Sequence, residues 1–347
     1  MAKRASFEIG GETVAPGTRK VIDLPVSVMS DHTPVHLSVE VIHGRQPGPT
    51  VFVSAAVHGD EVIGVEIARR LLKSAPLRSL RGTLLVVPIV NSFGFLNHSR
   101  YLPDRRDLNR SFPGHAQGSL ASRLANLFLT EIVLRCDFGI DLHSAAVHRT
   151  NLPQIRVTPG VPRLRQLASA FGPPVIINSP VRSGSLRAEA KAKGVDILLY
   201  EAGEGLRFDE MAVRSGVAGI LRVLNSCAML PDKGISRPRA APLLAVETHW
   251  LRAPRGGLLR TFRGDGEIVS EGTVMAAVSG PFGNTEAEIL APFDGLVVGR
   301  AVMPVVNEGD AVFHLAQVAR PDAANEALED MADHLSRDPL FDEDEII

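Results

Sequence analysis

The chain has 347 residues, 45% of them hydrophobic, with 37 Lys plus Arg against 39 Asp plus Glu and a formal net charge of −2 at pH 7. That length fits two domains, or one large domain with an appendage. The near-neutral balance argues against a chain-wide polycation that binds nucleic acid or a membrane surface. The longest strongly apolar run, Leu84 to Val90, has seven residues, against the roughly 20 needed to cross a bilayer. Met1-Ala2-Lys3-Arg4 is basic, but no apolar stretch of a signal peptide follows it, so the expected location is cytoplasmic. Cys136 and Cys227 lie in no CxxC motif and have mainly apolar neighbours, which favours two reduced thiols over a disulfide.

In chain order, Pro34 to Val41 and Thr50 to Val57 are rich in Val and flank the turn-rich Gly44 to Pro49 segment, so both read as strands. A helix follows, with Ile63, Ile67 and Leu71 recurring every four positions. Leu84 to Val90 is a buried-type strand. Ser119 caps a helix with Leu120, Leu124, Leu127 and Phe128 on one face, and Phe138 to Leu142 is the next strand. Then come a strand near Val175 to Ile177, a helix near Ser185 to Lys193, a strand at Ile197 to Tyr200 and a long helix from about Phe208 to Met229.

Strands alternating with helices predict an α/β domain over residues 1–235, core 50–230, built on a mixed, mainly parallel sheet with helices on both faces. Pro231 to Gly234 and Pro238 to Pro242 punctuate the chain, and the short apolar runs from Val246 to Ala316 predict a small all-β domain over 236–318. Residues 319–347 form an acidic tail, with ten acids and one base from Pro321 onward. Residues 1–320 therefore carry 36 basic and 29 acidic side chains, a balance of +7.

His58-Gly59-Asp60-Glu61 stands alone among the eleven histidines in placing a glutamate three positions after a histidine, and it falls where a predicted strand gives way to a helix. Open α/β sheets place ligand sites there, and a catalytic zinc site commonly takes two His and one Glu. His143, in Asp141-Leu142-His143-Ser144, also follows a predicted strand. Either motif alone equally describes an ordinary strand-end histidine. Arg100, Arg105, Arg106 and Arg110 put four guanidinium groups in eleven residues, which suits an anionic substrate or a developing oxyanion; the alternative is a solvated basic loop. Glu201 ends another apolar strand, as a general base or as a capping acid. Asp141 is a candidate carboxylate partner for a ligating histidine, and Arg156 a candidate substrate contact. No GxSxG, GxxxxGK[ST] or GxGxxG pattern is present, which demotes serine hydrolase, nucleotidase and dehydrogenase chemistry.

The segments HGDE, RY…DLNRSFPG, DLHS and YEAGEG, from about Thr50 to Glu204, resemble the zinc carboxypeptidase superfamily, most closely its succinylglutamate desuccinylase and aspartoacylase branch. The resemblance implies a zinc carboxypeptidase-like fold and one Zn(2+) per chain held by His58, Glu61 and His143. It implies water activated by Glu201, a scissile carbonyl polarised by zinc and Arg100, and Asn109 and Arg110 on the substrate carboxylate. Arg100 keeps the RY pair in register; Arg106 is its rival. The expected activity is deacylation of a small anionic N-acyl amino acid, with a terminal-residue peptidase and a non-catalytic binding protein as alternatives. A homo-oligomer is compatible with the sequence.

The segments Gly264 to Gly272, Ala291 to Val297 and Val306 to Val312 resemble a lipoyl/biotinyl-type barrel-sandwich hybrid. At the carrier-lysine position, eight residues before Pro292, the chain has Asn284. A passive lid is therefore expected of this domain, ahead of an active-site cap or an oligomer contact.

Overall fold

The structure is a computed structural model that describes residues 4–238, 240–283 and 286–318. Asn284 and the acidic tail lie outside the described residues. Ten strands precede the C-terminal segment: β1 (Phe7–Ile9), β2 (Glu12–Val14), β3 (Thr18–Val28), β4 (Pro34–His43), β5 (Gln46–Ala55), β6 (Arg81–Val87), β7 (Phe138–His143), β8 (Arg149–Val157), β9 (Val175–Asn178) and β10 (Asp196–Glu204). The helices are α1 (Ile63–Lys73), α2 (Ser92–Leu96), α3 (Leu120–Glu131), α4 (Pro162–Phe171), α5 (Leu186–Ala192) and α6 (Glu210–Ser226). From Leu243 the described elements are strands only: β11 (Leu243–Arg252), β12 (Gly257–Thr261), β13 (Ile268–Val269), β14 (Val274–Ser279), β15 (Glu286–Leu290), β16 (Gly295–Ala301), β17 (Val305–Val306) and β18 (Ala311–Val318).

The period-two alternation of the central strands divides the core. Val51, Val53 and Ala55 of β5 point to a cluster with Ile63, Ile67 and Leu71 of α1 and with α4 and α6. Phe52 points the other way, onto Leu124 and Phe128 of α3. Helices thus cover both faces, as expected. Burying each of the three α1 side chains, all 0% exposed, contributes about 1.5–3 kcal/mol. Ser119 caps α3 by accepting from the Ser122 amide.

One mixed sheet of twelve strands runs β13-β16-β18-β11-β9-β8-β10-β7-β5-β6-β4-β3. It is less parallel than expected. Parallel pairing is confined to β10-β7-β5-β6 and β8-β9-β11, while β3-β4-β6, β8-β10 and the β11-β18-β16-β13 edge are antiparallel. Part of the departure lies in β8, in which Pro153 argues against a central strand. The structure accommodates it because β8 changes partner there: residues 149–151 pair with β16 and residues 154–157 with β9.

The sheet also runs through the junction near residue 235. Leu243 of β11 pairs in parallel with Val175 of β9, and β16 joins β8 directly. A second sheet, β15-β14-β12-β17, packs over Val297, Val312 and Phe313. No described helix is long and apolar enough to cross a membrane. Both cysteines are free, and Cys136 is buried, which pushes its thiol pKa up.

Candidate active site

β5, β7 and β10 run parallel with β7 in the middle, so their carboxyl ends converge. His143 is the last residue of β7 and lies directly beside Glu201 of β10 in the ladder. β5 ends at Ala55, and the chain turns through Ala56 at φ +50° before reaching His58. The turn is tight because α2 packs on it: a Cβ at Gly59 would lie 2.0 Å from the Gly94 carbonyl carbon. Glycine is required there for space, and it lets His58 and Glu61 turn back to His143.

The ligand atoms of His58, Glu61 and His143 all lie within 4.8 Å of one another, and all three residues are buried. His58 Nδ1 is 2.7 Å from Glu61 Oε1, and His143 Nδ1 is 2.7 Å from Glu61 Oε2. On the far side of each ring, His58 Nε2 is 3.1 Å from Asp107 Oδ1 and His143 Nε2 is 2.7 Å from Asp141 Oδ2. Arg100 donates to Glu61 Oε1 and to Asp107 Oδ2, each at 3.1 Å. Burial alone would lower the pKa of His143, but Asp141 and Glu61 outweigh it and hold it well above the ordinary value. Burial opposes ionisation of Glu61 as well, and the two histidines overcome it, holding the carboxyl far below the usual range.

These contacts fit a divalent cation. Three carboxylates touch the two imidazoles, and one guanidinium, Arg100, touches two of them, so with neutral imidazoles two negative charges remain uncompensated. Both nitrogens of each ring also face a carboxylate, which without a cation demands two buried imidazolium ions. A cation at the Nδ1 side removes that demand and leaves each Nε2–H donating to Asp107 or Asp141, the usual arrangement behind a ligating histidine. The donor set, two His and one Glu, is that of catalytic zinc sites.

Glu201 stands on the same cavity wall, its Oε1 3.2 Å from Arg156 Nη1 and its Oε2 accepting from Asn151 Nδ2 at 2.9 Å. Arg156 therefore pairs with Glu201 while also lining the cavity. The cavity, of about 230 Å³, is also lined by Arg100, Asn109 and Arg110. Asn109 is oriented by its side-chain oxygen, which accepts from the Leu186 amide at 2.9 Å. Arg106 is not brought in: it does not line the cavity, and its guanidinium, 58% exposed, lies 3.8 Å from Asp104. A larger concavity of about 1220 Å³, lined by Arg19, Arg45, Lys73, Arg78 and Arg81, lies elsewhere, around Gln46 and Arg81 at the amino ends of β5 and β6. It gathers no His/carboxylate cluster among the described residues.

Sequence reading missed Arg149, Arg182, Arg187 and Trp250, all of which line the cavity. Arg187 is largely buried, which pushes its pKa down to about 10, with Arg156 as a second cause. Trp250 lies parallel to His314 at 4.4 Å, with the Arg149 guanidinium 5.6 Å from its ring centre. Since Trp250 belongs to β11, the C-terminal segment contributes to the wall of the cavity.

Residues 47–227 match the succinylglutamate desuccinylase/aspartoacylase catalytic domain. The N-alpha-acetyl-L-2,4-diaminobutyric acid deacetylase of Halomonas elongata is 26% identical over 294 residues, which cover 79% of this chain and 84% of that one. A succinylglutamate desuccinylase/aspartoacylase from Rhodobacter sphaeroides superposes with a TM-score of 0.78 at 25% identity, covering 86% of this chain and 96% of that one. The product-bound ectoine utilization protein EutE (DoeB) from Ruegeria pomeroyi has the same fold, with a TM-score of 0.78 at 23% identity over 85% of this chain and 95% of that one. The matched segment spans more than half of the sequence and contains both the histidine cluster and Glu201, and the chain belongs to the succinylglutamate desuccinylase/aspartoacylase family, hydrolases of carbon–nitrogen bonds other than peptide bonds.

Proposed function

We propose that the chain is a zinc-dependent deacylase, with one zinc per chain held by His58, Glu61 and His143, which hydrolyses the amide of a small anionic N-acyl amino acid. One observation carries this reading: the His/Glu/His cluster and Glu201 face a single small cavity whose other charged groups are arginines. Zinc, when bound, supplies Lewis acidity, polarising a carbonyl and lowering the pKa of water toward about 7. Glu201 takes a proton from the attacking water and returns it to the leaving amine. Arg100, anchored on Glu61 and Asp107, offers positive charge to the oxyanion that develops on the carbonyl.

Asn109 and Arg110 bind the amino-acid carboxylate, joined by Arg149, Arg182 and Arg187. Arg187 is a desolvated cation that an anionic ligand compensates. A cavity of about 230 Å³ with Trp250 in its wall suits an acyl amino acid better than a peptide.

The test is a substrate panel on the zinc-loaded chain: N-acetyl-L-2,4-diaminobutyrate, N-succinyl-L-glutamate, N-acetyl-L-aspartate and a set of dipeptides, with released amine measured. The expected result is turnover of an N-acyl amino acid with kcat/KM at least about tenfold above any dipeptide, the discrimination that one or two polar contacts give. Preference for dipeptides would support the peptidase instead.

A further inference from the structure

We propose that Asn151 is a positioning residue for the Glu201 carboxylate, and that Gly299 of the C-terminal strand β16 leaves the space that the Asn151 amide needs to reach it. The proposal rests on the reading of Glu201 as the general base. Both oxygens of Glu201 are held by residues of the neighbouring strand β8: Oε1 by Arg156 at 3.2 Å, and Oε2 by the Asn151 amide at 2.9 Å. The ion pair with Arg156 leaves the carboxylate free to rotate about its last bond, whereas the Asn151 hydrogen bond to the other oxygen fixes its plane. The second donor is neutral. A second cation there would stabilise the anion further and weaken it as a base.

The backbone is shaped around this contact. The β8–β10 ladder shifts register between the Glu201–Gln154 and Gly203–Asn151 pairs, with the extra residue on β8, the kind of irregularity that re-aims a side chain such as that of Asn151. Asn151, 6% exposed, lies between two glycines in the ladder, Gly203 of β10 and Gly299 of β16. Gly299 does not have a positive φ, so what it supplies is space. A Cβ there would lie 2.6 Å from Asn151 Oδ1 and 3.0 Å from the Thr150 carbonyl oxygen. The amide would have to turn, and its donation to Glu201 would be lost. The strands cannot easily part to relieve the crowding, because Arg300 and Ala301 continue the pairing to Thr150 and Arg149, and Gln154 Nε2 donates to the Val298 carbonyl at 2.9 Å. The C-terminal segment thereby reaches the catalytic carboxylate through one amide.

The test uses the zinc-loaded full chain and the N-acyl amino acid that it turns over best. Asn151→Ala is expected to lower kcat about tenfold or more, since misplacing a reacting group by about 1 Å costs up to 100-fold. KM should stay within about twofold, with zinc content and melting temperature unchanged. Gly299→Ala should lower kcat similarly, and the double variant should be no slower than Asn151→Ala alone, because both act through one contact. In a Glu201→Gln background, Asn151→Ala should cost nothing more. The proposal is overturned if Asn151→Ala raises KM with kcat intact, if it changes neither constant, or if the two losses multiply. Should Glu201→Gln itself retain full turnover, the assignment of the base fails, and that outcome is read from the single variant alone.

Discussion

Asp141 and His143 are two residues apart on β7 and so project from the same face of the strand. Asp141 is 1% exposed; its Oδ2 is 2.7 Å from His143 Nε2, and its Oδ1 accepts from Ser54 Oγ at 2.7 Å. Asp141→Asn keeps an oxygen able to accept from His143 Nε2–H, removes the charge and turns an NH2 toward the Ser54 hydroxyl, which can rotate to accept from it. The uncompensated charge around the two histidines then falls from −2 to −1, a poorer match to a divalent ion. Losing a partner behind a metal-ligating histidine costs 10–100-fold in affinity, or about 1.4–2.7 kcal/mol. Asp141→Asn should sit near the lower figure. Asp141→Ala, which removes every partner of His143 Nε2 and frees the imidazole to rotate, should sit near the upper one. Competition with a chromophoric chelator at pH 7.5 gives the zinc Kd directly. If both variants bind zinc within about twofold of the wild type, or if the Asn variant is weaker than the Ala variant, the charge argument is wrong.

Stripping the metal should make stability depend on pH in a definite direction. Despite burial, Asp141 and Glu61 raise the pKa of His143, and Glu61 and Asp107 that of His58. Folded values above the unfolded value of about 6.5 mean that this stabilisation is complete below that pH and is lost as pH rises through the folded values. The melting temperature of metal-free protein should therefore fall between pH 6 and 9 more steeply than that of zinc-loaded protein, and parallel curves would contradict this. Trp250→Ala removes the face on which the Arg149 guanidinium lies, an interaction of about 0.5–1 kcal/mol when exposed; KM should rise severalfold with kcat retained, whereas a fall in kcat alone would place Trp250 at the reacting atoms. Gly139→Ala would put a Cβ 2.0 Å from Phe52 Cε1, on a ring that meets Phe128 edge-on at 6.0 Å. Urea denaturation should show about 1–3 kcal/mol of destabilisation, and an unchanged midpoint would mean that the Phe52 ring can move aside.

The parts of the site legible in the sequence are those in which local pattern and chemistry coincide. His58, Glu61 and His143 stand at the ends of apolar strands that face into the core, and Asp141 shares a strand face with His143, so each was accessible from a few neighbouring residues. Asp107 was not: it was hidden among arginines, and its contact with His58 spans 49 positions. Asn151, Arg149 and Trp250 gain their place from strand pairings across long separations, β8 with β10 and β16, and β11 with β18. Arg106 had the right residue type in the right loop, but Arg100 alone of the two turns inward to Glu61. The strand β8 was unreadable because Pro153 interrupts it, and without β8 the sheet appeared more parallel than it is.

The most direct test of the account is the turnover of zinc-loaded Glu201→Gln on the best N-acyl amino acid substrate. The variant keeps the shape of the side chain and lies outside the His58/Glu61/His143 set, so zinc content and melting temperature should match the wild type. Its kcat should fall by about 10²–10⁴-fold, the usual contribution of a general base. A fully metallated, folded Glu201→Gln chain that hydrolyses the amide within about threefold of the wild-type rate would contradict the proposed mechanism at its centre.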